Sequence, residues 1–169
     1  MHRGNNRANN LLGYLRHLPV AVADIRGSEY YPDIQGMASF YQTPQGVLVK
    51  AEVYGLPVFE GFCEKPIFAF HIHEGGSCSG NATDYFADAG AHYNPYNCLH
   101  PYHAGDLPPL LGVGGMAYSI FLTDRFTAEE IIGKTIIIHD MPDDFSTQPS
   151  GNSGAKIACG EIVATRRNR

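Results

Sequence analysis

Short apolar runs alternate along the chain with stretches dense in glycine, proline, asparagine and aspartate. "VAVADI" (20–25), "GMASFYQT" (36–43) and "GVLVKAEVYG" (46–55) have strand length and are bounded by turn residues. The last two meet through "PQG", which reads as a hairpin turn. "PIFAFHIHE" (66–74), "DLPPLLGV" (106–113), "MAYSIFLTD" (116–124), "KTIIIHD" (134–140) and "AKIACGEIVA" (155–164) complete a series of eight. "TAEEIIG" (127–133) predicts a single helical turn, capped by Thr127 with Glu130 three residues on. Residues 1–18 read as an irregular or partly helical arm, 19–165 as one domain and 166–169 as a basic tail. Many short strands and little helix predict an all-β sandwich or barrel. We expect an eight-stranded Greek-key β-barrel of immunoglobulin-like sandwich build.

Two loops, about 75–105 and 141–154, are too long to be simple connectors, and loops of that length usually carry function. "GVGG" (112–115) lacks the Lys-Ser/Thr and the following helix of a phosphate loop, and reads as a turn.

The stretch "FAFHIHEGG" (68–76) changes the picture. Residues i and i+2 of a strand share a face. His71 and His73 therefore project together, with Phe70 and Ile72 on the opposite side. Six of the eight histidines lie between 71 and 139. His92, His100 and His103 fall in the first long loop with Asp106 close behind, and His139 ends a strand. Imidazole suits zinc, copper, iron and nickel. Six imidazoles and a carboxylate exceed what one ion needs, and the number fits two adjacent metals.

Composition narrows the partners. The chain is 44% hydrophobic, which marks it as globular. No apolar run approaches the roughly 20 residues that span a bilayer, so no membrane partner is expected. The net charge of −5 hides an asymmetry. Residues 1–26 carry four Arg and one Asp, and the last four residues carry three Arg. Residues 27–165 hold five basic and sixteen acidic side chains, a formal −11, which makes nucleic acid a poor partner. The N-terminus shows no continuous apolar segment of a secretory signal, so a cytoplasmic location is expected, or an extracytoplasmic one if a leader precedes the chain. Four cysteines allow two disulfides in three connectivities, or buried thiols in a reducing compartment.

"FHIHE", "AGAHYNP", "HAGDLP", "IIIHD" and "GNSGAKIACGEI" resemble, in order, the signature blocks of copper/zinc superoxide dismutases, over about residues 20–164. The resemblance implies a copper site of His71, His73, His92 and His139. It implies a zinc site of His92, His100, His103 and Asp106, with the His92 imidazole bridging. Asp143 matches the family's aspartate that links a zinc-ligand histidine to a copper-ligand histidine. Cys78 and Cys159 match its intrasubunit disulfide, and a further Cys63–Cys98 bridge would tether the metal loop. The implied activity is dismutation of superoxide to oxygen and hydrogen peroxide, with His92 handling a proton. A homodimer is compatible with the family. The sequence departs from the pattern at three places: "HPYH" leaves only two residues between His100 and His103, the second loop from His139 to Cys159 is shorter than usual, and Lys156 stands where the family has an active-site arginine. Lys156 would keep the positive charge that draws the anion, without arginine's planar fork. A non-catalytic copper- and zinc-binding or metal-buffering protein on the same fold is the alternative.

Overall fold

The computed structural model describes residues 11–61, 63 and 66–166. Residues 1–10 of the expected arm and 167–169 of the expected tail lie outside these. A short 3-10 helix, Leu11–Arg16, precedes the first strand. Among the described residues nine strand segments follow: β1 (Ala21–Gly27), β2 (Gln35–Thr43), β3 (Gly46–Tyr54), β4 (Ile67–Phe68), β5 (Phe70–His73), β6 (Leu110–Leu111), β7 (Met116–Thr123), β8 (Thr135–His139) and β9 (Lys156–Ala164). Seven form an antiparallel sheet in the order β5-β8-β9-β1-β2-β3-β7, and β4 pairs with β6.

That small pairing closes the fold. β4 runs into one edge strand, β5, and β6 into the other, β7. Joining β4 to β6 links the two ends of the sheet across a two-residue ladder, while the remaining edge of β5 is covered by the first long loop. Counting β4 and β5 as one interrupted strand gives the eight expected. The interruption is Ala69. Its N–H donates to the Met141 carbonyl, and its own carbonyl accepts from His139 N–H. The strand thus changes partner from β6 to β8 at that point.

The interior follows the period-2 pattern. Ala21, Ala23 and Ile25 of β1, Ala38 and Phe40 of β2, and Val47, Val49, Ala51 and Val53 of β3 are fully buried in one cluster. Phe70 and Ile72 of β5 and Ile136 and Ile138 of β8 join it. "GVGG" is the expected turn: Val113 and Met116 bond each other across Gly114 and Gly115, both at positive φ, which a tight hairpin of this type requires. "TAEEIIG" forms turns without becoming an α-helix. Its cap is still made, since Thr127 N–H and Oγ1 both donate to Glu130 Oε2.

Candidate metal centre

His71 and His73 lie on the outer face of β5, opposite Phe70 and Ile72, yet are 0% and 2% exposed. The two long loops cover that face. Part of the first runs along the free edge of β5. Ile72 N–H donates to the Gly105 carbonyl, Tyr93 N–H to the Ile72 carbonyl, and Glu74 N–H to the Ala91 carbonyl. The backbone register sets Asp106 opposite His71 and His92 opposite His73. His139, at the end of β8, lies across from Lys156 at the start of β9. The pairing of β5 with β8, His71 opposite Ile137 and His73 opposite Thr135, brings His139 to the same face from more than sixty positions away.

Two groups of ligand-type side chains result. One is His71, His73, His92 and His139, and the other is His92, His100, His103 and Asp106. Within each, the donor atoms all lie within 4.8 Å of one another, and every member is buried. All seven residues expected from the sequence are brought in, and His92 belongs to both groups. The short "HPYH" spacing does not prevent His100 and His103 from meeting in one group.

The outward nitrogen of each ring in four cases is already bonded. His71 Nε2 and His100 Nε2 donate to the two oxygens of Asp143, each at 2.8 Å. His73 Nδ1 donates to the Gly90 carbonyl at 2.8 Å, and His139 Nδ1 to the Gly154 carbonyl at 3.3 Å. Such bonds fix the tautomer and leave the opposite nitrogen as a bare lone pair. His92 Nδ1 lies 2.7 Å from Asp106 Oδ1. His100 Nδ1 and His103 Nδ1 lie 3.1 and 3.4 Å from Asp106 Oδ2.

The inward nitrogens are the telling atoms. His71 Nδ1, His92 Nε2, His100 Nδ1 and His103 Nδ1 are buried without a hydrogen-bond partner. Two further lone pairs, His73 Nε2 and His139 Nε2, face each other at 3.4 Å. A buried polar atom left unpaired costs on the order of 1–3 kcal/mol. Converging lone pairs of this kind suit metal ions, whose charge replaces the missing donors. The His71–His73–His92–His139 set is all nitrogen and suits copper, while three imidazoles with one carboxylate suit tetrahedral zinc.

The electrostatics agree. Burial holds His73 well below the usual imidazole range, and burial followed by repulsion from His71 holds His139 at about 3. Burial also lowers His71 and His103. These rings are neutral at pH 7, as a ligand must be. Burial alone would raise Asp143, but the bonds from His71, Phe145 N–H and His100 outweigh it and hold the carboxyl at about 2. Burial likewise opposes ionisation of Asp106, and its contacts with His92, His100 and His103 prevail.

Cys78 and Cys159 form a disulfide. Cys63 and Cys98 do not bond: both are free thiols, Cys63 exposed and Cys98 half-buried. Their segments are committed to different neighbours. Cys98 is folded onto Asn94, whose side chain bonds both its N–H and its carbonyl, and it lines the cavity over the histidines. Cys63 follows a segment fixed at the β6–β7 turn, where Leu56 N–H donates to the Gly115 carbonyl.

A cavity of about 940 Å³ opens beside the first histidine group, with His73, His92, His139 and Lys156 in its wall. Lys156 reaches it from β9 and pairs there with Asp84. Sequence reasoning missed Asp84, the Gly90 and Gly154 carbonyls, and Arg125, which binds the first long loop. A backbone carbonyl leaves no trace in residue identity, and Asp84 sits in a polar loop where an acidic residue is unremarked.

Residues 34–162 match the family model described as copper/zinc superoxide dismutase. The chain is 33% identical over 145 residues to the copper–zinc superoxide dismutase 2 of Aquifex aeolicus, covering 77% of this chain and 80% of the relative. It is 32% identical over 149 residues to the copper–zinc superoxide dismutase of Deinococcus radiodurans, covering 78% of each. The solved structure of the Cu/Zn superoxide dismutase from Brucella abortus superposes with a TM-score of 0.70 over 83% of this chain and 98% of that one, at 24% identity, and supports the fold.

Proposed function

The chain belongs to the copper/zinc superoxide dismutase family, and from that premise we propose that the cavity beside His73, His139 and Lys156 is where superoxide is converted to oxygen and hydrogen peroxide. The observation that carries this reading is the set of buried, unpartnered ring nitrogens converging in two groups that share His92. His71, His73, His92 and His139 would hold copper, and His92, His100, His103 and Asp106 would hold zinc. Copper, when bound, supplies an electron acceptor for one superoxide and a donor for a second, while zinc supplies a fixed positive charge.

The remaining work falls to the chain. Asp143 holds one ring of each group at a set orientation through its two oxygens. Asp106 lies against His92 Nδ1, and His92 Nε2 is buried without a hydrogen-bond partner, so neither side of this ring is spent on an outside anchor. The His92 ring would handle one of the two protons consumed for every peroxide formed. Lys156 places a cation in the cavity wall, paired with Asp84. The loops keep the ligand rings dry while the cavity admits a small molecule.

Reconstitution tests the reading. The metal-free protein should take up one copper and one zinc per chain and gain dismutase activity. His71→Ala or His139→Ala should abolish activity and copper binding, with the barrel folded and zinc retained. Full activity in either variant at saturating copper would show that the first histidine group is not the copper site.

A further inference from the structure

Resting on that reading, Lys156 should draw anions, yet its ammonium is already engaged. Nζ donates to Asp84 Oδ2 at 2.6 Å and to the Phe86 carbonyl at 3.2 Å. The lysine side chain is 15% exposed and the aspartate 40%. Both line the cavity that contains His73, His92 and His139. Asp84 is not a swinging surface group. Its Oδ1 accepts the Phe86 N–H at 3.0 Å, and its carbonyl accepts from Asn81 and Ala87. Asn81 Oδ1 in turn accepts the Asp84 N–H. The loop that carries it is tied to β9 through Cys78–Cys159. A fixed carboxylate therefore meets a fixed ammonium at the wall of the anion pocket.

We propose that Asp84 is a positioning and specificity-determining residue of this pocket: it holds Lys156 against the wall and cancels most of its attraction for anions. An unpaired cation in a cleft focuses the field on an incoming anion. A close ion pair presents a dipole, whose field falls off faster with distance. The pocket then relies on its metals for attraction and gains little from steering through Lys156. A purely structural tie between the loop and β9 would affect stability and leave anion affinity unmoved.

The copper- and zinc-loaded full chain is titrated with azide, a monovalent anion that ligates copper, and binding is followed by the resulting absorption band. Four proteins are compared: wild type, Asp84→Asn, Lys156→Gln and the double variant, with Asp84→Glu as a fifth that retains the charge. Asparagine keeps an acceptor for the Phe86 N–H, and a thermal melt of each variant confirms the fold. Asp84→Asn should bind azide about threefold more tightly at low ionic strength, the scale of a partly exposed ion pair. The gain should shrink as salt rises. It should vanish when Lys156→Gln is added, and Asp84→Glu should match wild type. Unchanged affinity in Asp84→Asn would overturn the proposal. So would a gain that persists in the double variant, because Asp84 would then act by its own charge alone. A wild-type chain that takes up both metals but gives neither an azide band nor dismutation would instead overturn the functional reading on which the proposal rests.

Discussion

Asp143 accepts from His71 on one oxygen and from His100 on the other, and so makes the two histidine groups one mechanical unit. The site pressed against it is Gly151. Its φ is +69°, and a Cβ placed there would stand 2.0 Å from Asp143 Oδ1 and 2.7 Å from His100 Nε2. Neither atom is free to retreat, since both are bonded in the buried link. Gly151→Ala should therefore cost about 1–3 kcal/mol through its strained backbone, and more through displacement of Asp143. It should also weaken binding of both metals, because one ring of each group loses its anchor. Thermal melts with and without metals, with metal affinities by chelator competition, check both parts. At this scale the sequence was legible where chemistry follows from period: His71 and His73 on one face needed only the two-residue repeat of a strand. Asp84 was not legible, because its partner lies 72 positions away and its meaning comes entirely from that contact.

The first long loop is the element whose behaviour the sequence left most open. Only two residues separate His100 from His103, so local chain length alone does not set their geometry. Arg125, in the segment after β7, supplies the missing constraint. Its Nη1 donates to the carbonyls of Pro101, His103 and Asp106 at 3.0–3.1 Å. Two of these belong to ligand-type residues of the second group, and the third follows His100. The arginine is thus a clasp that draws the short turn together. All three bonds come from one nitrogen, so a lysine ammonium, with three donors on a shorter stem, would replace the clasp only in part. Arg125→Lys should weaken zinc binding by about tenfold, at the low end for residues that support metal ligands, and Arg125→Ala should weaken it further. Copper affinity should fall less, since three of its four proposed ligands sit on β5 and β8. Competition with a chelator for Zn²⁺, with the visible spectrum of Co²⁺ in the same site, reads the change separately from activity. The strands themselves were legible from period and turn residues. The break at Ala69 was not, because an uninterrupted apolar run says nothing about where its partner changes.

The whole molecule depends on one covalent closure. Cys78 and Cys159 are separated by 81 positions, and that span contains His92, His100, His103, Asp106, His139 and Asp143. Only His71 and His73, held by strand pairing, lie outside it. In the chain-entropy model a loop of this length stabilises the fold by roughly 4–5 kcal/mol. Metals that bind only the folded chain add stability by mass action, about 4 kcal/mol at a thousandfold excess over the dissociation constant. The two effects are coupled. Without the disulfide, ordering the covering loops becomes part of the cost of binding metal. Without metal, the buried lone pairs repel and the loops open more readily. By reciprocity, metals must protect the disulfide by the same factor that the disulfide strengthens metal binding. The expected order of melting temperature is metal-loaded and oxidised at the top, then metal-free and oxidised, with metal-free and reduced at the bottom. Reduction alone should lower the melting temperature of the metal-free chain by roughly 8–20 °C, given 2–4 °C per kcal/mol at this size. Cys78→Ser with Cys159→Ser should reproduce that loss and weaken both metal affinities. Thermal melts and thiol release under a fixed reductant, each with and without copper and zinc, measure the coupling. Equal rates of thiol release from loaded and metal-free protein would show that the covering loops hold their shape without help from either.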